Sequence, residues 1–138
     1  MAEFDDLEAV PAPEGELTLC LVASGQETNI HGDISAGWVV AQMEQAAELA
    51  AARRAQGRTA TVAMQAMDFL CPVRVGATLN IHTQLQEVGR SSMTFTVEAW
   101  IQPPFETGPD SYYKVTESRF VMVALDEQGR IRAVPEEA

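Results

Sequence analysis

Beyond Thr59 the chain settles into alternation of apolar and polar residues, and before that point it does not. Leu79, Ile81, Thr83, Leu85 and Glu87 alternate with Thr78, Asn80, His82, Gln84 and Gln86. Met93, Phe95, Val97, Ala99 and Ile101 alternate with Ser92, Thr94, Thr96, Glu98 and Trp100. A period of two predicts strands with one face on a core. Val88-Gly89-Arg90-Ser91 then joins them as a tight hairpin. Thr59 to Leu70 predicts an earlier strand, closed by Cys71-Pro72 and followed by a turn at Gly76. Pro103 to Asp110 reads as a loop, Tyr112 to Leu125 as a last long strand, and Asp126 to Gly129 as its terminal turn. Leu17 to Val22 is a short β-prone run.

The segment from about Ser35 to Gln56 differs. It has no proline and carries six alanines between Ala41 and Ala52. Ser35 is an N-cap candidate, Arg53 and Arg54 occupy the last turn, and Gly57 is placed to stop the helix. Trp38, Val39, Val40, Met43, Leu49 and the alanines spread around the helical wheel, which predicts burial on several sides. One long helix followed by about four long antiparallel strands is an α+β pattern.

Composition sharpens this picture little. At 138 residues the chain is one domain with a single core. The net charge of −11 is concentrated at the ends, because residues 1–16 carry six acids and no base, and Glu136 and Glu137 close the chain. Setting those eight aside leaves twelve acids against nine bases, a body near −3. Residues 1–16 are therefore expected to be a flexible acidic extension, with 17–138 as the domain. No basic stripe supports nucleic-acid binding. No apolar run approaches the ~20 residues of a membrane span. The start carries no secretory signal, and the cytoplasm is the expected compartment. Cys20 and Cys71 lie in no Cys-x-x-Cys or Cys/His cluster, so two reduced, partly buried thiols are expected, with no metal and no cofactor.

Chemistry concentrates between Asn29 and Trp38, which read Asn-Ile-His-Gly-Asp-Ile-Ser-Ala-Gly-Trp. Asp33 offers a base or nucleophile. The free N–H groups of the first helical turn, just after it, can receive the negative charge of a polarised carbonyl. That combination suits acyl transfer. The bland alternative is that Asp33 only caps the helix.

The motif Asn29-x-x-Gly32-Asp33-Ile34-x-x-Gly37-Trp38 resembles the opening of hotdog-fold acyl-CoA thioesterases of the YciA or cytosolic acyl-CoA hydrolase type. Three later blocks are similar in the same order. They are Val62-Ala63 through Phe69-Leu70-x-Pro72-Val73-x-Val75-Gly76, then Gly89 to Met93, then Val115-Thr116-Glu117 with Phe120 to Asp126. The resemblance covers roughly residues 17–134. It implies one long central helix wrapped by a five-stranded antiparallel sheet, in homodimers often assembled further into hexamers, as trimers of dimers. It implies an acyl-CoA substrate at the dimer interface, Asp33 as catalytic carboxylate, and a backbone N–H near Gly37 polarising the thioester carbonyl. Against the family pattern, Ala36-Gly37 replaces paired glycines, Ser35 stands where an aromatic is common, Glu44 replaces a frequent aspartate, and His31 sits where asparagine is usual. These changes bear on the acyl pocket and leave the carboxylate in place.

The other residues carry two readings each. Asn29 is either a turn residue or a hydrogen-bond donor to the thioester, water or carboxylate. Arg90 is either a solvated hairpin tip or, with Gly89, Ser91 and Ser92, a site for the CoA phosphates. Arg58 and Arg74 are weaker candidates of the same kind. Trp38, Met64, Met67 and Met93 read as apolar fill, and His82 has no acidic neighbour in sequence. Two rivals share the fold. A 3-hydroxyacyl-thioester dehydratase would cast His31 and Glu44 as base and helix carboxylate, and a non-catalytic acyl-CoA binding protein would have lost the site.

Overall fold

The computed structural model describes residues 12–137. The first eleven residues of the expected extension lie outside the described residues. Glu14 and Gly15 are packed on the domain: the Glu14 N–H donates to Glu98 Oε2 at 3.4 Å, and Gly15, with φ +89°, has no room for a Cβ against the Thr83 carbonyl.

The elements follow in the order β1 (Glu16–Val22), α1 (Ala36–Ala55), β2 (Thr59–Met64), β3 (Thr78–Val88), β4 (Ser92–Gln102) and β5 (Tyr113–Ala124). They form one five-stranded sheet in the order β1-β3-β4-β5-β2, with every neighbouring pair antiparallel. β3 and β4 are the expected hairpin, registered so that Val88 faces Met93 and Thr78 faces Gln102. The helix intervenes between β1 and β2, which accordingly end up as the two edges. This is the α+β arrangement of one helix and five antiparallel strands that the sequence predicts.

α1 packs against one face of the sheet, touching all five strands. Val39, Met43, Ala46, Ala47, Ala51 and Ala55 form its buried stripe, at helical spacing, against Leu79, Ile81, Phe95, Val97, Phe120 and Met122. Four of those six are alanines, so the helix backbone sits close to the strands and a larger side chain would have to displace them. Burial on several sides is not what the isolated chain shows. Ala36, Gly37, Ala41, Glu48, Leu49 and Arg53 are exposed on the remaining surface of the helix.

Two boundaries differ from the sequence reading. β2 stops at Met64 rather than Leu70, although the chain continues beside β5. Gln65 and Leu70 donate to the Arg119 and Val115 carbonyls, whereas the hydroxyls of Thr116 and Ser118 take the carbonyls of Asp68 and Gln65 at 2.8 Å. Side-chain donors replace backbone ones there, and the regular ladder ends. At the helix end, Gln56 rather than Gly57 takes the left-handed conformation, at φ 54°, and its N–H returns to the Ala52 carbonyl.

The outer face of the sheet holds a buried charge. Glu98 is 4% exposed. It accepts from Trp100 Nε1 at 2.8 Å and lies 3.7 Å from Lys114 Nζ, and Lys114 also contacts Glu117. His82 faces Glu98 across the β3–β4 ladder, an acidic neighbour that linear sequence does not show.

Candidate active site

The loop before α1 is built by its own polar side chains. Asn29 N–H donates to the Asp33 carbonyl at 2.7 Å, and Gly32, at φ +81°, donates back to the Asn29 carbonyl at 3.1 Å. Asn29 Oδ1 accepts from the N–H groups of His31 and Asp33 at 2.8 and 3.2 Å. The Asn29 oxygen is thus spent on holding the turn, which leaves its NH2 group for any other partner. The loop is pinned at both ends: Ser35 N–H donates to the Glu27 carbonyl at 2.8 Å and Ile34 N–H to the Val73 carbonyl at 2.9 Å.

Ser35 caps α1, accepting from Gly37 N–H at 3.2 Å through its hydroxyl. Asp33 therefore does not cap the helix. Its side chain is 34% exposed, and Oδ1 is 3.0 Å from Nε of Arg74. Arg74 belongs to the loop leading into β3, so it sits at the carboxylate and not at the hairpin with Arg90. The Gly37 N–H, expected to polarise a carbonyl, is engaged by the Ser35 hydroxyl in the free chain. A Cβ at Gly37 would meet only Ser35 Oγ, at 3.5 Å, so the backbone here is open to approach.

Gly89, Arg90, Ser91 and Ser92 lie far from this loop. β3 starts beside the Asp33 loop and runs 11 residues to the hairpin, which is roughly 33 Å at the usual rise per residue. Within the hairpin, Gly89 N–H donates to the Ser92 carbonyl at 2.8 Å, and the Ser91 and Arg90 carbonyls accept from Ala124 and Val134. A single chain does not bring Asp33, Asn29 and Gly37 together with Gly89 to Ser92.

What gathers at the hairpin end is arginine. Arg132 Nη2 donates to the Ala55 carbonyl at 2.7 Å, closing the C-terminus of α1, and Arg54 donates to the Pro135 carbonyl at 2.6 Å. The Arg58 guanidinium lies over Gly129, 3.7 Å from where a Cβ would stand there, and Arg130 sits in the turn held by Asp126 Oδ1. With Arg53 and Arg90, six of the nine basic residues occupy this end, interleaved with Asp126, Glu127, Glu136 and Glu137. A cleft of about 510 Å³ lies there as well, lined by Thr18, Arg53, Arg54, Thr83, Phe95 and Glu136 among others. It is remote from Asp33. The contributions of Arg130 and Arg132 were hidden in sequence, because both look like ordinary tail charges.

The remaining candidates divide between core and surface: Met93 is buried and Met67 partly so, but Met64, expected as apolar fill, is 47% exposed at the end of the edge strand β2. Trp38 is half-buried against the core. His31 is exposed, and no hydrogen bond or ion pair joins it to Glu44 among the described residues. Cys20 is exposed, contrary to the expectation of partial burial, and Cys71 is intermediate; both are free thiols. Burial pushes the Cys71 thiol up from its ordinary pKa. Among the described residues no cluster of three or more His, Cys, Asp or Glu could hold a metal, and no helix is long and apolar enough to cross a membrane.

Known proteins match this architecture and its sequence. The family described as Thioesterase superfamily matches residues 31–105. An uncharacterized acyl-CoA thioester hydrolase of Haemophilus influenzae is 37% identical over 124 residues, covering 90% of this chain and 80% of that protein. The acyl-CoA thioester hydrolase YciA of Escherichia coli is 35% identical, covering 91% and 95%. Among solved structures, the hexameric thioesterase y2039 of Yersinia pestis superposes with a TM-score of 0.85 at 36% identity, covering 91% of this chain and all of that one. The hexameric broad-specificity acyl-coenzyme A thioesterase HI0827 does so with the same TM-score at 36% identity, covering 92% and 86%. The chain belongs to the thioesterase superfamily, in its hotdog-fold acyl-CoA thioester hydrolase branch.

Proposed function

We propose that this protein hydrolyses acyl-CoA thioesters to the free carboxylic acid and CoA, using Asp33 as general base or nucleophile. The observation that carries the reading is the division of labour before α1. Ser35 satisfies the helix start, so Asp33 is a partly exposed carboxylate that capping does not explain. Acting as base, Asp33 takes a proton from water as the oxygen attacks the thioester carbon. Acting as nucleophile, it forms an anhydride that water then opens. In both routes charge accumulates on the carbonyl oxygen beside the helix N-terminus, and the sulfur leaves as thiolate and is protonated. The first-turn N–H groups near Gly37 stabilise that oxygen, once the substrate displaces the Ser35 hydroxyl or shares its donor.

The substrate reading also explains the arginines at the far end. CoA carries its phosphates well away from the thioester, and Gly89 to Ser92 with Arg90 supplies turn N–H groups, hydroxyls and a cation for them. The separation within one chain means that Asp33 and this hairpin serve one ligand only when they come from different copies. β2 is an edge strand, and it and the segment after it expose apolar residues: Val62, Met64, Phe69 and Leu70 are 55%, 47%, 43% and 65% exposed. An apolar edge of that kind is a pairing surface, and a homodimer built on it, extended to a homohexamer, is the assembly that fits.

The test is thioester hydrolysis across acyl chain lengths, with unaltered protein beside Asp33→Ala. Thiol release that disappears in the variant supports the reading. Formation of an enoyl thioester without thiol release would indicate the dehydratase, and tight acyl-CoA binding with neither product would indicate a binding protein.

A further inference from the structure

We propose that Arg74 is a positioning residue for Asp33: its guanidinium holds one carboxylate oxygen and leaves the other free for the reaction. This rests on the assignment of Asp33 above and adds a residue that acts through it. Among the described residues Arg74 is the only side chain paired with the Asp33 carboxylate, through Nε to Oδ1 at 3.0 Å.

The backbone on both sides of this contact is fixed. Ile34, next to Asp33, donates its N–H to the carbonyl of Val73, next to Arg74, at 2.9 Å. The two charged residues thus flank a backbone hydrogen bond between their loops. Asp33 has in addition committed its own N–H and carbonyl to Asn29. What remains unrestrained is the rotation of the Asp33 side chain, and Arg74 is the group that restrains it.

Chemistry favours arginine for that task. The guanidinium stays charged at every working pH and meets the carboxylate as an ion pair at Oδ1, drawing that oxygen to one side. Stability is not the purpose, because the Arg74 side chain is 72% exposed and exposed ion pairs add little to a fold. Orientation is different. A reacting group displaced slightly from its productive geometry loses rate steeply, and a base held by a third group is the general solution.

The experiment measures kcat, KM and the melting temperature for Arg74→Ala, Arg74→Lys, Asp33→Asn and the double variant Asp33→Asn/Arg74→Ala. Arg74→Ala should lower kcat by about tenfold to a hundredfold, with KM and melting temperature close to those of the unaltered protein. Arg74→Lys should recover part of the loss. The double variant should be no slower than Asp33→Asn alone, because Arg74 has nothing left to position. An unchanged kcat in Arg74→Ala overturns the proposal, as does a rise in KM alone, which would make Arg74 a substrate ligand. A further loss of the same size on the Asp33→Asn background overturns it too. Full turnover in Asp33→Asn would instead defeat the assignment of Asp33 itself, and Arg74 would fall with it.

Discussion

Ser35 Oγ, rather than the Asp33 carboxylate, receives the Gly37 N–H at 3.2 Å. Two adjacent polar side chains thereby acquire separable effects. Ser35→Ala should lower the unfolding free energy by about 1 kcal/mol, the usual loss for an N-cap. Asp33→Asn should leave stability nearly unchanged and lower kcat on the order of a hundredfold or more. Urea unfolding run beside the hydrolysis assay checks both. An Asp33→Asn protein that is destabilised yet turns over normally would return Asp33 to a structural role.

Arg90 stands at an exposed hairpin tip with no ion pair among the described residues. If it holds CoA phosphates, Arg90→Ala should raise KM for acyl-CoA and leave kcat nearly intact, the mark of binding lost equally from ground and transition states. Added salt should weaken the unaltered protein's affinity more than the variant's. The effect should shrink for a pantetheine thioester, which lacks the nucleotide. Equal damage to both substrates would mean that Arg90 shapes the hairpin, and attention would move to Arg58, Arg130 and Arg132.

The exposed β2 edge predicts its own disruption. A lysine on an apolar edge strand opposes pairing with another strand. Val62→Lys should therefore reduce the assembly seen by light scattering, and activity should fall with it. A fully active monomer at micromolar concentration would refute the reading that the site needs a second copy.

Lys114 guards the buried Glu98 carboxylate. Lys114→Met should destabilise the fold by about 1–3 kcal/mol, because the buried Glu98 keeps Trp100 Nε1 and the Glu14 N–H but loses the cation beside it, and adding Glu98→Gln should recover much of it. Burial disfavours the charged form of Lys114, but the Glu117 hydrogen bond and the Glu98 and Glu117 charges outweigh it and raise its pKa. A raised folded value means this contribution is complete below the ordinary lysine value of about 10.4 and is lost as pH rises through the folded one. Unfolding followed from neutral to strongly alkaline pH should show that loss in the unaltered protein and not in Lys114→Met.

Periodicity was sufficient to find the strands and the helix, because β3, β4 and β5 each carry an inner row of apolar residues, even where β4 also buries Glu98 and Trp100 on its outer face, and α1 buries one stripe. It failed where side chains did the work of the backbone. Thr116 and Ser118 bond to Asp68 and Gln65 across roughly fifty positions, and no local pattern announces that β2 therefore ends at Met64. Asp33 and Asn29 were visible as a motif because the turn is local. Arg74 was not visible as the partner of Asp33, since only the Ile34–Val73 contact brings their loops together. The arginine-rich end was equally hidden: Arg54, Arg58, Arg90 and Arg132 come from the helix, a strand entrance, a hairpin and the tail. The spread of apolar residues around α1 predicted burial on several sides, and within one chain only the stripe from Val39 to Ala55 has a neighbour.

The distance along β3 between the Asp33 loop and the Arg90 hairpin has a further consequence for populations of mixed assemblies. If each complete site draws those two parts from different copies, chains altered at both positions spoil sites in pairs. At subsaturating acyl-CoA, activity should then decline as the square of the fraction of unaltered chains when the two kinds are co-assembled at random. Chains altered singly at Asp33 or at Arg90 should do the reverse on mixing, since some of the new interfaces join two intact halves and so turn over acyl-CoA at low concentration, where the Arg90 parent is unsaturated and the Asp33 parent is inactive.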